Sequence, residues 1–233
     1  RYTVLMNQST TKHVESVRLS AMRIFETIPS YVTVVAAAKG RTLPEVESVI
    51  QAGISHIGHN YVQEAQRMIP ALEGKVTCHM IGHLQRNKTK KAVQLFDVIE
   101  TVDSLNLAQT IDRRCAAIGK VMPILVEINS GEEPKKSGVL PERVDELVAE
   151  LADLKHISVQ GLMTMGPRFG DPENARPFFQ ATRNAFTRLS NCNLPNIDMR
   201  YLSMGMSNSY LVAIEEGANI VRIGTKIFGN KSD

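Results

Sequence analysis

The sequence predicts an α/β protein built as a single (β/α)8 barrel, and three observations predict it. The best-defined strand, Tyr31-Val-Thr-Val-Val-Ala-Ala-Ala-Lys39, is apolar almost throughout, as are strands of a parallel sheet covered on both faces. Strand-like and helix-like segments alternate along the chain, and eight such units in 233 residues suit a compact barrel. The last two strands end in small or hydroxyl-bearing residues, Ser203, Gly205 and Ser207 on one, Gly224 and Thr225 on the other. Such ends suit an anion: glycine lets the backbone approach, hydroxyls add donors, and a following helix start offers free N–H groups. Strands seven and eight of a barrel commonly form a phosphate cup of this kind. Right-handed crossovers would equally build an open doubly wound sheet. The strand ends also read as ordinary turns.

The elements follow in order. Thr10 to Ile28 predicts an amphipathic helix, with Val14, Val17, Ala21, Ile24 and Phe25 at helical spacing and Pro29 as its stop. The apolar strand comes next and places Lys39 at its C-terminal end. Thr42-Leu-Pro-Glu45 opens a helix to about Gln51 with a capping signature. Ser55 to His59 is a short strand, Asn60 to Leu72 a helix, Val76 to Ile81 a strand, and Gln85 to Leu95 a basic helix. Phe96 to Thr101 is a strand and Ser104 to Ile118 a helix. Met122 to Asn129 is a strongly apolar strand, Gly131 to Gly138 a polar loop, and Pro141 to Leu154 a helix. Ile157 to Met165 is a strand, and Pro172 to Leu189 a loop and helix. The two decorated strands follow, separated by a helix from about Ser209 to Glu216. Little chain remains after Phe228, so the extra N-terminal helix is expected to take the place of an eighth outer helix. With no linker, repeat or low-complexity stretch, residues 1–233 read as one domain.

Composition narrows the function classes. The chain is 43% hydrophobic and 22% charged, as ordinary globular proteins are. A net charge of +3 is too mild to imply nucleic acid without a clustered patch. No apolar run is long enough to span a bilayer, and the first residues do not read as a secretory signal. Cys78, Cys115 and Cys192 are too irregularly spaced for a disulfide framework or a zinc site, so a reducing cytoplasm is the expected compartment.

In a barrel the C-terminal strand ends form the active face. Here they carry Lys39, Gly58-His59-Asn60, His79, His83, Asn129, Thr164, the Ser203 to Ser207 run and Arg222 to Thr225. A lysine ending an apolar strand is costly to bury charged, and desolvation favours the free amine that forms a Schiff base. A lysine that snorkels to solvent is the competing reading. Combined with a phosphate cup, the lysine suggests an aldehyde that carries a phosphate, and pyridoxal 5′-phosphate meets both demands. Arg222 lies two residues before Gly224, so both point to the same side of a strand. Elsewhere, His79 and His83 are more economically a strand end and its loop than metal ligands. Arg86, Lys88, Lys90 and Lys91 read first as a solvated helix face, and Lys135-Lys136 as either a cover over the ligand or an exposed loop.

Several runs carry a family resemblance: Ala37-Ala-Lys39, Gly58-His-Asn-Tyr-Val-Gln-Glu64 and His79-Met-Ile-Gly-His-Leu-Gln-Arg-Asn-Lys88, then Lys136-Ser-Gly138 and Gly161-Leu-Met163. Leu202-Ser-Met-Gly-Met-Ser207 and Val221-Arg-Ile-Gly-Thr225 follow in the same order. With these the chain resembles the pyridoxal phosphate homeostasis proteins, single-domain relatives of the alanine racemase N-terminal barrel. The resemblance implies a Schiff base between the cofactor and Lys39. It implies phosphate binding by Ser207, Gly224 and Thr225, with Ser203 and the backbone near Met204 contributing. It places Arg222 near the pyridine nitrogen and Asn60 near the ring hydroxyl. His59 departs from the family's usual Glu, Cys78 from a common Trp, and Asn208-Ser209 from an acidic pair. Protonation of His59 is expected to make affinity depend on pH near neutrality.

The implied role is buffering or delivery of pyridoxal phosphate, with apo enzymes that need it as partners and no nucleic acid or membrane. An arginine beside the ring nitrogen disfavours its protonation, which weakens the ring as an electron sink and favours holding the cofactor over rapid turnover. Alanine racemases add a second base from another domain, for which this chain shows no counterpart beyond Tyr61, so a monomer without fast catalysis is expected. Two rivals stand beside this reading: a slow pyridoxal-phosphate-dependent racemase, and a Schiff-base (β/α)8 enzyme acting on a sugar phosphate.

Overall fold

Eight short parallel strands close on one another in chain order, β8 pairing back onto β1. The computed structural model describes residues 2–133, 137–167 and 169–230. The strands are β1 (Thr33–Ala37), β2 (His56–His59), β3 (Thr77–Met80), β4 (Val98–Val102), β5 (Met122–Ile128), β6 (Ile157–Thr164), β7 (Ile197–Ser203) and β8 (Ile220–Ile223). The helices are α1 (Tyr2–Thr27), α2 (Leu43–Gln51), α3 (Val62–Leu72), α4 (Thr89–Leu95), α5 (Leu105–Ala116), α6 (Val144–Leu151), α7 (Arg176–Ser190), α8 (Tyr210–Glu215) and α9 (Thr225–Phe228). The closed order excludes the open doubly wound alternative. Among the described residues, no helix is long and apolar enough to cross a membrane.

Alternation along each strand separates two interiors. Outward residues such as Val34, Ala36, Ile57, Ile99, Ile124, Val126, Val159 and Val221 join the buried faces of the helices in one large apolar core. Inward residues Val35, Ile81 and Ile220, with Ala37 and Tyr201 against them, form a small aliphatic plug inside the barrel. At the β6–β7 seam the register shifts between Val159 and Gly161. Gly161 sits at φ +155°, and a Cβ there would lie 1.8 Å from the Tyr201 carbonyl oxygen, so only glycine permits the approach.

Several boundaries differ from the expectation, each for a local reason. α1 starts at Tyr2, well before the periodic pattern begins, because residues 2–9 contain no proline or glycine to stop it. β1 stops at Ala37, so Lys39 stands in a turn beyond the strand, with Gly40 at φ +62°. The expected basic helix divides into a 3-10 turn, Arg86–Lys88, and α4. The four-residue α9 was not anticipated, being too short to show a period. Thr42 and Glu45 cap α2 as expected: the Thr42 N–H and hydroxyl donate to Glu45 Oε2 at 2.7 and 2.8 Å. α1 packs against both α2 and α9, where an eighth outer helix would lie.

Candidate functional site

The turn after β1 is tied to the start of α3. The Gly40 N–H donates to Glu64 Oε2 at 3.1 Å, and Lys39 Nζ lies 5.3 Å from the centre of the Tyr61 ring. Lys39 is exposed. Of the two readings, the lysine that reaches solvent is the one the structure shows, because the strand ends two residues early and the turn carries the side chain outward. Asn60, just past β2, is half-buried, with its backbone packed against Gly82.

Across the mouth, β7 and β8 lead into a small ring of donors. Ser207 Oγ accepts from the Gly224 N–H at 3.1 Å and from the Lys226 N–H at 3.3 Å, at the start of α9. Thr225 is exposed beside them. Gly205, at φ +94°, lets this loop close: a Cβ would meet Ala213 Cβ at 2.5 Å and Tyr210 Cα at 2.9 Å. Both N–H groups point at the Ser207 oxygen in this structure, and the same N–H groups and hydroxyl are the donor types that a phosphate takes, so the residues present fit such a group.

Two expected members of that cup are committed elsewhere. The Met204 N–H donates to the Ile220 carbonyl at 3.1 Å, and its side chain is buried in the outer core. Ser203 is fully buried and faces the barrel interior. Its hydroxyl donates to Glu100 Oε2 at 2.6 Å and accepts from Arg222 Nη1 at 2.6 Å. The reason is geometric: Ser203 is the last residue of β7, still inside the barrel wall, whereas Ser207 lies beyond the turn.

Arg222 is 4% exposed and anchored at both guanidinium arms, Nη1 to Ser203 and Nη2 to the Thr164 carbonyl at 2.8 Å. Burial pushes its pKa down, while the charges of Glu100 and Glu127 pull it up. Burial also works to raise the Glu100 carboxyl, but the hydrogen bond and charge of His79, with Arg222 and Ser203, outweigh it and hold Glu100 below the ordinary range. His79 Nδ1 lies 2.7 Å from Glu100 Oε1, and its Nε2 lies 2.9 Å from His56 Nδ1. Burial, then the neighbouring His79, push His56 down to about 4. On β5, burial and then Asp103 push Glu127 up to about 7, and its Oε2 has no hydrogen-bond partner among the described residues. Sequence reasoning passed over Glu100 and Glu127. The signal was present, a single carboxylate inside each of two otherwise apolar strands, Val-Ile-Glu-Thr-Val and Ile-Leu-Val-Glu-Ile.

Three further residues settle. His59 points away from the barrel interior, against the Phe96 ring at 6.1 Å, and its Nε2 has no partner among the described residues. Burial pushes it down to about 4, so it stays neutral near pH 7, contrary to the expected switch near neutrality. Burial pushes the Cys78 thiol up to about 12, which leaves it inert. His79 is buried inside the barrel and His83 is exposed, 3.2 Å from Ser137 Oγ, and among the described residues no group of three His, Cys, Asp or Glu side chains could hold a metal ion. Lys135 and Lys136 lie outside the described residues.

A closed barrel with a lysine beyond β1, an arginine inside β8 and a donor ring between β7 and β8 defines a class. Residues 20–232 match the family model described as alanine racemase, N-terminal domain. A pyridoxal phosphate homeostasis protein of Aquifex aeolicus is 40% identical over 190 residues, covering 81% of this chain and 82% of the relative. One from Synechocystis is 33% identical and covers 89% of this chain and 95% of its own. The structure of PipY from Synechococcus elongatus with PLP bound superposes with a TM-score of 0.84 at 29% identity, over 91% of this chain and all of that one. Alanine racemase of Clostridium difficile, at 17% identity and TM-score 0.75, shares the fold over 60% of its own length. The chain belongs to the family of pyridoxal phosphate homeostasis proteins.

Proposed function

We propose that this protein binds pyridoxal 5′-phosphate covalently through Lys39 and serves to buffer or deliver it. The observation that carries the reading is an exposed lysine beyond β1, two backbone N–H groups gathered on the Ser207 hydroxyl beyond β7 and β8, and a doubly anchored arginine inside the same end of the barrel. Ser207, Gly224 and Thr225 would seat the phosphate, Arg222 would face the ring nitrogen, and Asn60 would flank the ring. The cofactor supplies an aldehyde and an electron-withdrawing ring when bound. Arg222 stays charged between two carboxyls and disfavours a proton on that ring, which suits holding over turnover. The exposure of Lys39 suits the same role, because water or another amine can reach the bond that must exchange on release. The bound PLP of PipY and the names of the relatives support the assignment.

The test is a visible spectrum with added pyridoxal phosphate, followed by borohydride reduction and peptide mapping. A stable adduct on Lys39, lost in Lys39→Ala, is the expected result. Adducts only on other lysines would remove the assignment. One observation favours a second reading, a slow racemase: the Tyr61 phenol stands beside Lys39. Exchange of the α-proton of alanine in heavy water, lost in Lys39→Ala and in Tyr61→Phe, would establish it.

A further inference from the structure

Inside the barrel, below the mouth, five side chains from five strands form one hydrogen-bonded chain. It runs from Arg222 on β8 to Ser203 on β7, Glu100 on β4, His79 on β3 and His56 on β2, with successive contacts of 2.6, 2.6, 2.7 and 2.9 Å. Glu100 and Ser203 are fully buried, and His79 and Arg222 nearly so. A buried ion pair is a poor source of stability, since aliphatic side chains of the same volume often serve as well or better. The same barrel interior shows that alternative in Val35, Ile81 and Ile220. Packing alone therefore gives no reason for the chain.

Its polarity gives one. The ionised Glu100 only accepts, so it receives the Ser203 O–H and the His79 Nδ1–H. The Ser203 proton is thereby directed away from Arg222, which leaves the serine oxygen to accept from the guanidinium. With its other arm on the Thr164 carbonyl, Arg222 cannot turn without breaking two buried hydrogen bonds. Glu100 also stands close enough to balance its charge, with Nη1 to Oε2 at 3.9 Å.

We propose that Glu100, held by His79 and His56, is the positioning residue for Arg222: through Ser203 it fixes the orientation and the effective charge that the guanidinium presents to the ring of bound pyridoxal phosphate. The inference rests on the cofactor reading above. Other charged groups act on the same chain. Glu127 faces Arg222 from β5 and is itself influenced by Asp103, while Asp97 acts on His56. Glu127 limits the consequence of losing Glu100, because an unbalanced Arg222 favours its ionised form.

Glu100→Gln keeps the shape and removes the charge, whereas Ser203→Ala keeps the charge and cuts the link. Each variant, loaded with pyridoxal phosphate, is titrated with pH by its visible absorbance, and thermal unfolding of the unloaded proteins is followed in parallel. In Glu100→Gln the midpoint of the absorbance change falls by about one pH unit, since a less balanced guanidinium opposes further positive charge nearby. Ser203→Ala shifts it the same way by less, and Glu100→Asp returns it towards the wild type. Midpoints equal to wild type in the folded variants would overturn the proposal, whatever happens to thermal stability, and would reduce the chain to a structural support. If Glu100→Gln does not fold, Ser203→Ala decides alone. A wild-type protein that forms no adduct on Lys39 would overturn the cofactor reading and this inference together, a result distinct from unshifted midpoints.

Discussion

Lys39 is exposed and Arg222 is almost completely buried, although both stand within two residues of a strand end. Burial divides their work: the exposed amine can react and exchange, and the buried guanidinium is fixed by its acceptors. Ser207 gathers the two N–H groups of the proposed phosphate seat, so Ser207→Ala should weaken pyridoxal phosphate binding about tenfold, the worth of one hydrogen bond to a charged group. Fluorescence titration would measure this, and binding of pyridoxal, which lacks the phosphate, should be unaffected. His59 makes a prediction of a different kind. Its folded pKa of about 4 lies below the ordinary value of 6.5, so the unfolded chain takes up its proton first as pH falls. Stability from this group is complete above about 6.5 and is lost progressively down to about 4. His59→Leu should flatten that acid limb by one proton in urea unfolding across the same window. An unchanged slope would show that the imidazole is not buried neutral.

At the scale of elements, the β6–β7 seam is the tightest point of the barrel. Gly161→Ala would drive a Cβ into the Tyr201 carbonyl at a backbone angle that side chains rarely adopt, and should cost about 3 kcal/mol in denaturant unfolding. The strands and longer helices were legible in the sequence because their apolar periods extend over several turns or residues. Thr42 and Glu45 marked a helix start that the structure keeps. The 3-10 turn at Arg86–Lys88 and the four-residue α9 carry too few residues to show a period, and α9 adjoins the proposed phosphate seat.

For the molecule as a whole, α1 completes the outer layer. Val17, Ala21 and Ile24 are buried in the main core on the face that meets α2 and α9. Arg41 ties the same corner together, donating to the carbonyls of Phe228 and Gly229 at the end of α9. Val17→Asp should therefore cost about 3 kcal/mol or more, by burying an unpaired charge. Because Lys226 in α9 and Gly224 just before it supply the two N–H donors of the proposed phosphate seat, cofactor affinity should fall along with the melting temperature. Full affinity in a destabilised Val17→Asp protein would show that α1 and the seat are independent.

The order of the chain determined the barrel, since apolar strands alternating with helices have few ways to close. It also determined the positions of the proposed Schiff-base lysine, the serine and glycine loop and the strand arginine, because each is a local pattern next to a strand end. Only the tertiary structure decided which way those side chains face. The early end of β1 put Lys39 in solvent, and the last residue of β7 turned Ser203 inward, away from the cup. The outward side of β2 buried His59 as a neutral ring. The buried chain from Arg222 to His56 joins residues as far as 166 positions apart. No local pattern records such a chain, because it exists only where five strands bring five side chains into one low-dielectric interior.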